Sequence, residues 1–330
     1  MTFRKIITKL LKKPAAVIGL SLLLGFAIIA IFAPLIAPTP EGWSDNQMIP
    51  TTSLNAVPLP PSEEHILGTT EGQYDVFYGV VWGTRTAFRI GIGITLLTTL
   101  IGLIIGSLSG FFGGWVDEVL MRITEIFQAF PFLLTTIILT SVLKFVYQRG
   151  EGGIMITSSK ILAFLTFGNR FNEPISNSQM AFLFGLISIT MFGWMTIARV
   201  TRGNILIVKN YDYALAARTI GAKNPRILFR HLVPNAIFPL LVIATMNIGT
   251  FVLTFAALSF LGLGMPEGYA DWGQMLSLAR NWIPSLAKYY YIAIYPGIAI
   301  LLFVLSWNLV GDALRDVLDP RLRGTAADLP

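Results

Sequence analysis

The chain of 330 residues is 54% hydrophobic and only 13% charged, against roughly 25% charged in an ordinary soluble domain, so it reads as an integral membrane protein. Its net charge of +6 comes from basic residues that border apolar runs without forming a continuous stripe, which argues for membrane orientation and against nucleic-acid binding. With no cysteine in the chain, disulfides, cysteine-ligated metals and thiol nucleophiles are excluded.

Residues 1–13 carry Arg4, Lys5, Lys9, Lys12 and Lys13, and an apolar run over 15–37 follows. A basic start before an apolar run also opens secretory signals. This run is longer than a signal core and long enough to cross roughly 30 Å of hydrocarbon, so it is read as a first transmembrane helix behind an arm of residues 1–14. Over 38–85, Pro38, Pro40, Pro50, Pro58, Pro60 and Pro61 forbid a long helix, which makes this segment an extramembrane excursion.

A helical core over 86–312 then carries five further spans. The second, 90–112, has Gly102, Gly106 and Gly110 on one face, a spacing that lets a neighbouring helix approach closely in lipid. A short polar break over 111–125 holds Asp117, Glu118 and Arg122, spaced to pair with one another, before the third span at 126–143. The excursion 147–179 contains an apolar patch at 161–167 that is too short to cross a membrane. The remaining spans are 180–198, 236–263 (with Pro239 and Asn247 inside) and 289–310, followed by a tail over 313–330. Pro131, Pro239 and Pro296 mark kinks. Loop tryptophans such as Trp272, beside Asp271, also fit a bare role as interfacial anchors.

Six spans put both termini on one side, together with the break at 111–125 and the segment 199–235. Sixteen of the 24 Lys and Arg fall on that side. The positive-inside rule makes it cytoplasmic and the chain a multi-pass protein of the plasma (inner) membrane.

The longest charged passage is 211–235, YDYALAARTIGAKNPRILFRHLVPN, within a loop over 201–235. Its punctuation predicts two short helices. Asp212 caps the first, which runs through Ile220, and Gly221 suits the left-handed position that ends it. Asn224 and Pro225 open the second, which stops before Pro234. Ala214, Ala217 and Arg218 share a face kept low by small side chains, a face another protein can grip. From spacing alone, an amphipathic linker lying on anionic headgroups fits as well.

The missing chemistry narrows the function. The sequence has no GxxxxGK[ST] phosphate loop, and its two histidines, His65 and His231, form no HExxH. No cofactor or metal site is expected. The six spans carry no ionisable residue in their interiors, which disfavours a proton- or ion-coupled carrier. What remains is a path-forming subunit powered by a partner. The rivals are a partner-independent channel or carrier and a membrane scaffold without transport.

The 211–235 passage resembles the EAA loop of ABC importer permeases, most closely the peptide, nickel and opine branch and its C-type subunit. The matching residues are Ala216, Ala217, Arg218, Gly221, Arg226, Arg230, His231, Pro234 and Asn235. Leu215 stands where that motif has its glutamate, with Asp212 one turn earlier. Further blocks in family order are LGT at 67–69 with Asp75, Gly83 and Arg85, GFFGGWVDEVLMR, WMTIARVTRGNIL, ALSFLGLGMPEGYADWGQML and GDALRDVLDPRLR. Gln73-Tyr74 replaces a usual Gly-Arg pair.

The resemblance implies an all-α type I importer permease fold with cytoplasmic coupling helices. It also implies a second homologous permease subunit, two cytoplasmic ABC ATPase subunits and an extracytoplasmic solute-binding protein. Asp212 and the matched residues through Pro234 would be the ATPase-coupling set, and the cargo di- or oligopeptides, with oligosaccharides, nickel or opines as alternatives.

Overall fold

The computed structural model describes residues 8–39, 57–149 and 177–318; the apolar patch at 161–167, the basic residues at 4, 5, 321 and 323 and most of the 147–179 excursion lie outside them. Within the described residues the fold is all-helical, and its one β-bridge, Thr69 to Asp75, is isolated.

Helix α1, Pro14–Ile36, opens with a proline in its first turn, where a missing N–H costs no hydrogen bond. Its outward apolar side chains, Leu24, Ile31 and Leu35 among them, suit lipid. Helix α2, Val76–Phe112, begins well before the expected span at 90. Asp75 caps it by accepting the Tyr78 N–H at 2.8 Å, so the residues that read as loop, Arg85 included, are helical. The Arg85 guanidinium lies 5.1 Å from the Trp82 ring centroid.

The expected third span is a broken one. Helices α3, Gly114–Gln128, and α4, Phe132–Gln148, meet at an 84° bend around Pro131. A proline preceded by a non-helical residue supplies the break, and it falls later than the sequence break expected at 111–125. Asn177–Gly193 (α5) and Met195–Val208 (α6) make the next crossing.

Helix α7, Asp212–Thr219, is followed by one helical turn, Asn224–Arg226, and a π-helical turn, Ile227–Leu232. These run without a stop into α8, Val233–Phe260. The chain closes with α9, Trp272–Ala279, a 3₁₀ turn at Arg280–Ser285, and α10, Leu286–Leu318, kinked at Tyr289. The expected end of the last span at 310 is therefore inside a helix.

Five helices, or six crossings with the bent α3–α4 pair, are long and apolar enough to cross a membrane. The bundle has two distinguishable ends. Lys13 pairs with Asp316, and Leu10 and Ala16 pack on Ala313 and Val317, which puts the start of α1 beside the end of α10. That is the basic end. At the opposite end the Trp82 indole N–H donates to the Ala37 carbonyl at 2.8 Å, joining the end of α1 to the start of α2.

The pair α2 and α6 makes the most extensive helix contact. A Cβ on Gly102 would sit 2.7 Å from the Ile197 Cβ, on Gly106 2.2 Å from the Ala198 carbonyl oxygen, and on Gly110 2.9 Å from the Arg202 carbonyl oxygen. All three glycines thus let backbone lie on backbone, the geometry that small residues permit between helices in lipid.

Candidate functional site

The 211–235 segment folds as a small helical knob with its own apolar centre. Ala214, Ala217, Ile227, Leu228 and Leu232 pack together against Phe111 of α2 and Ile205 of α6. This corrects the expectation for the low face of α7. Ala214 and Ala217 point into the protein, where their small side chains let α7 lie close to the π-helical turn at Ile227–Leu232, and the outward face is a different one.

Gly221 adopts φ 78°, the left-handed conformation, and closes α7 with a paired-bond C-cap. Its N–H donates to the Arg218 carbonyl at 2.9 Å and that of Ala222 to the Ala217 carbonyl at 3.0 Å. Two other details of the punctuation differ. Tyr211, not Asp212, holds the N-cap position, and Asp212 sits exposed in the first turn, where its charge favours the helix dipole. Lys223 precedes the second helix, so Asn224 is its first residue and not its cap.

The second helix does not stop before Pro234. The Val233 N–H reaches five residues back to the Leu228 carbonyl, a wider turn that displaces the carbonyls a proline ring would otherwise strike. The Asn235 side-chain amide donates to the His231 carbonyl at 2.6 Å.

Between α7 and the π turn lies an open groove of about 610 Å³, bordered by Tyr213, Ala216, Ile220, Arg226, Arg230 and His231, with Gly221 at one end and Ala217 in its floor. Six of the nine expected coupling residues thus meet at one surface. The other three do not: Asp212 and Pro234 are exposed elsewhere on the knob, and Arg218 turns back, its guanidinium 5.9 Å from the Phe111 ring. Among the described residues Arg226 and Arg230 have no ion-pair partner and the groove has no acidic residue, so it offers positive charge.

Sequence reasoning passed over the apolar exposure of this knob: Leu215 is 46% exposed, Phe229 59% and Ile220 85%. Apolar residues on the outer face of a charged, water-facing segment are the signal that would have found them.

It also misassigned Asp117. Instead of pairing within its own helix, Asp117 takes a two-pronged contact from Arg202 of α6, Nε to Oδ1 at 2.5 Å and Nη2 to Oδ2 at 2.6 Å, and also accepts from the Ser109 hydroxyl. Arg122 instead pairs with Glu125 at 3.1 Å. Lys209 donates to the Gly110 carbonyl at 2.9 Å. The Asp117, Arg202 and Lys209 contacts tie α3 and the end of α6, where the chain enters the knob, to the end of α2.

Asp271 and Trp272 are structural too. Asp271 caps α9 by accepting the Gln274 N–H at 3.0 Å, and Trp272 is buried, its indole N–H donating to the Val80 carbonyl at 3.1 Å, so it is no interfacial anchor. His65 contacts the Asp75 carboxylate at 2.8 Å.

Helices long and apolar enough to cross a membrane, packed around a glycine-lined crossing with a helical knob at one end, define a polytopic membrane protein. Comparison with known proteins gives the family. The model for binding-protein-dependent transport system inner membrane components matches residues 102–324, and the model for the N-terminal transmembrane domain of oligopeptide transport permease C matches residues 2–61.

The chain is 36% identical over 308 residues to the oligopeptide transport system permease protein OppC of Bacillus subtilis, covering 93% of this chain and 86% of that protein. It is 31% identical over 321 residues to the dipeptide transport system permease protein DppC of Alkalihalophilus pseudofirmus, covering 97% and 90%. To the glutathione transport system permease protein GsiD of Escherichia coli it is 34% identical over 298 residues, covering 90% and 83%. The chain belongs to the family of binding-protein-dependent transport system inner membrane components, and within it to the C-type permeases of the peptide class.

Proposed function

We propose that this chain is one of two permease subunits of an ATP-driven importer of di- and oligopeptides in the inner membrane, with both termini and the 211–235 knob in the cytoplasm. Two ABC ATPase subunits complete the complex, the knob docking on an ATPase subunit, and a solute-binding protein delivers cargo at the opposite end. The cargo assignment rests on the relatives, whose names specify dipeptides, oligopeptides and glutathione, itself a tripeptide.

The observation that carries the coupling role is the groove between α7 and the π turn. It combines unpaired arginines with outward apolar side chains at the end of the bundle that bears most of the basic residues. An acidic-rimmed, apolar-centred surface on an ATPase subunit complements it. ATP-driven closure of the ATPases moves the knob, and the clasp of Asp117, Arg202 and Lys209 passes that motion to the α2–α6 crossing.

The test is co-purification from the native membrane in mild detergent, with Gly221→Pro as the diagnostic variant. Proline fixes φ near −65°, against the 78° observed, so the knob's hinge cannot form. A second permease and an ATPase should accompany the native chain, and Gly221→Pro should abolish uptake. Gly221→Asn, which tolerates the left-handed conformation, should restore most of it. A chain that purifies alone and moves solute in liposomes, or a Gly221→Pro complex with full uptake, overturns the proposal.

A further inference from the structure

At the bend between α3 and α4 a cleft of about 320 Å³ opens against α6 and α8, lined by Gln128, Thr196 and Asn247 together with Phe130, Phe132 and Phe251 among its apolar neighbours. The three polar residues sit near the middle of their crossings. Gln128 precedes the break in the α3–α4 pair, Thr196 follows the junction of α5 and α6, and Asn247 is halfway along α8. Gln128 and Thr196 are exposed and Asn247 is half-buried, and none of the three side chains has a hydrogen-bond partner among the described residues.

Neighbouring threonines on α8 differ in this respect. Thr245 donates to the Leu241 carbonyl at 2.7 Å and Thr250 to the Met246 carbonyl at 3.4 Å, so each is satisfied within its own helix. An amide at that depth with no such outlet costs several kcal/mol in hydrocarbon unless water or a ligand meets it. Unpaired polar groups inside a membrane span mark a solute path more often than a lipid-facing wall.

We infer that this cleft is a wall of the peptide path, where the Asn247 amide, with Gln128 and Thr196, hydrogen-bonds the backbone amides of the passing peptide. The inference rests on the peptide-importer reading. A carboxamide presents both a donor and an acceptor, the complement of a peptide group, which is the one feature every peptide shares. The cleft has no ionisable lining residue, so it sets no charge requirement on the cargo's side chains. Its volume lies at the low end of the roughly 300–1,000 Å³ typical of small-molecule sites, suited to a short stretch of backbone and not to a whole ligand.

The absence of cysteine from this chain supplies a clean experiment. Asn247→Cys is introduced into the complete transporter, treated with a charged, membrane-impermeant maleimide in inverted and right-side-out vesicles, and the label is read on this chain after electrophoretic separation. Thr196→Cys is made in parallel, in case the first variant fails to assemble, and Leu253→Cys on an apolar face of α8 is the control. Both cleft thiols should label and the control should not. A transported peptide at ten times its apparent Kd should slow cleft labelling about tenfold by occupying the path.

Uptake by the unmutated complex is measured in the same vesicles. If peptide is taken up but labelling is absent or indifferent to peptide, the cleft inference fails alone. If the unmutated complex takes up no peptide, the importer reading fails and the inference with it.

Discussion

The two ends of this bundle are built from similar residues and finished differently. At the opposite end, from the start of α2 to α9, many polar groups find partners within the chain. The Trp82 and Trp272 indoles donate to the Ala37 and Val80 carbonyls, the Thr86 hydroxyl donates to the Ala270 carbonyl at 2.9 Å, and Asn281 and Trp282 both donate to Glu71. A Cβ on Gly83 would strike the Trp272 ring at 2.6 Å, so that ring lies on bare backbone. At the basic end the knob buries its small centre but leaves Leu215, Ile220 and Phe229 outward and Arg226 and Arg230 unpaired. One end closes on itself; the other leaves apolar and cationic side chains uncovered, as the proposed docking role requires.

The largest expected effect lies at the closed end. Trp272 is 2% exposed and contacts Phe26 and Phe303. Trp272→Ala removes a buried aromatic and should cost about 3–5 kcal/mol, read as a lowered midpoint of thermal unfolding in detergent. An unchanged midpoint would show that this end is not held by its own packing.

At the open end the expectation reverses. Ile220→Asp places a charge on a side chain that is 85% exposed and touches little of its own chain, so thermal stability should not fall. Retention of the ATPase during purification should fall at least about tenfold, or ~1.4 kcal/mol, if the knob is buried in the complex. A variant that unfolds as readily as Trp272→Ala while keeping its ATPase would erase the contrast between the two ends.

Much of this contrast was legible in the sequence, because each part of it follows from a local rule. Uncharged runs of span length give the crossings, glycines four apart give the α2–α6 contact, and a charged passage between apolar runs gives the knob, with Gly221 at its turn. The failures share a cause. The π turn depends on a shift of hydrogen-bond register that composition does not encode, and the inward rotation of Ala217 depends on which face α2 and α6 leave available. Asp117 and Arg202 are far apart in sequence and meet only because α3 folds back along α6. Trp272 failed for a related reason: a tryptophan near a span's end fits an interfacial belt or a core equally well, and only the bare backbone at Gly83 decides for the core.

The closed end also carries the smallest predicted effect. Burial pushes the Asp271 carboxyl up to about 6, while its bonds from Ser259 and from the backbone at Gln274 and Gly273 oppose the shift. The folded value thus lies above the unfolded one of roughly 3.9, so the stabilisation is complete below the unfolded value and is lost as pH rises through about 6. Lowering the pH from 7 to 5 should therefore add about 1 kcal/mol to stability through this group. Asp271→Asn keeps a capping side chain but cannot titrate, so the gain between pH 7 and 5 should be smaller in the variant by that amount. The measurement is the unfolding midpoint of both proteins at the two pH values. A larger gain in the variant would mean that Asp271 is held in its charged form, and that this end is tied together by an ionic contact instead of by burial.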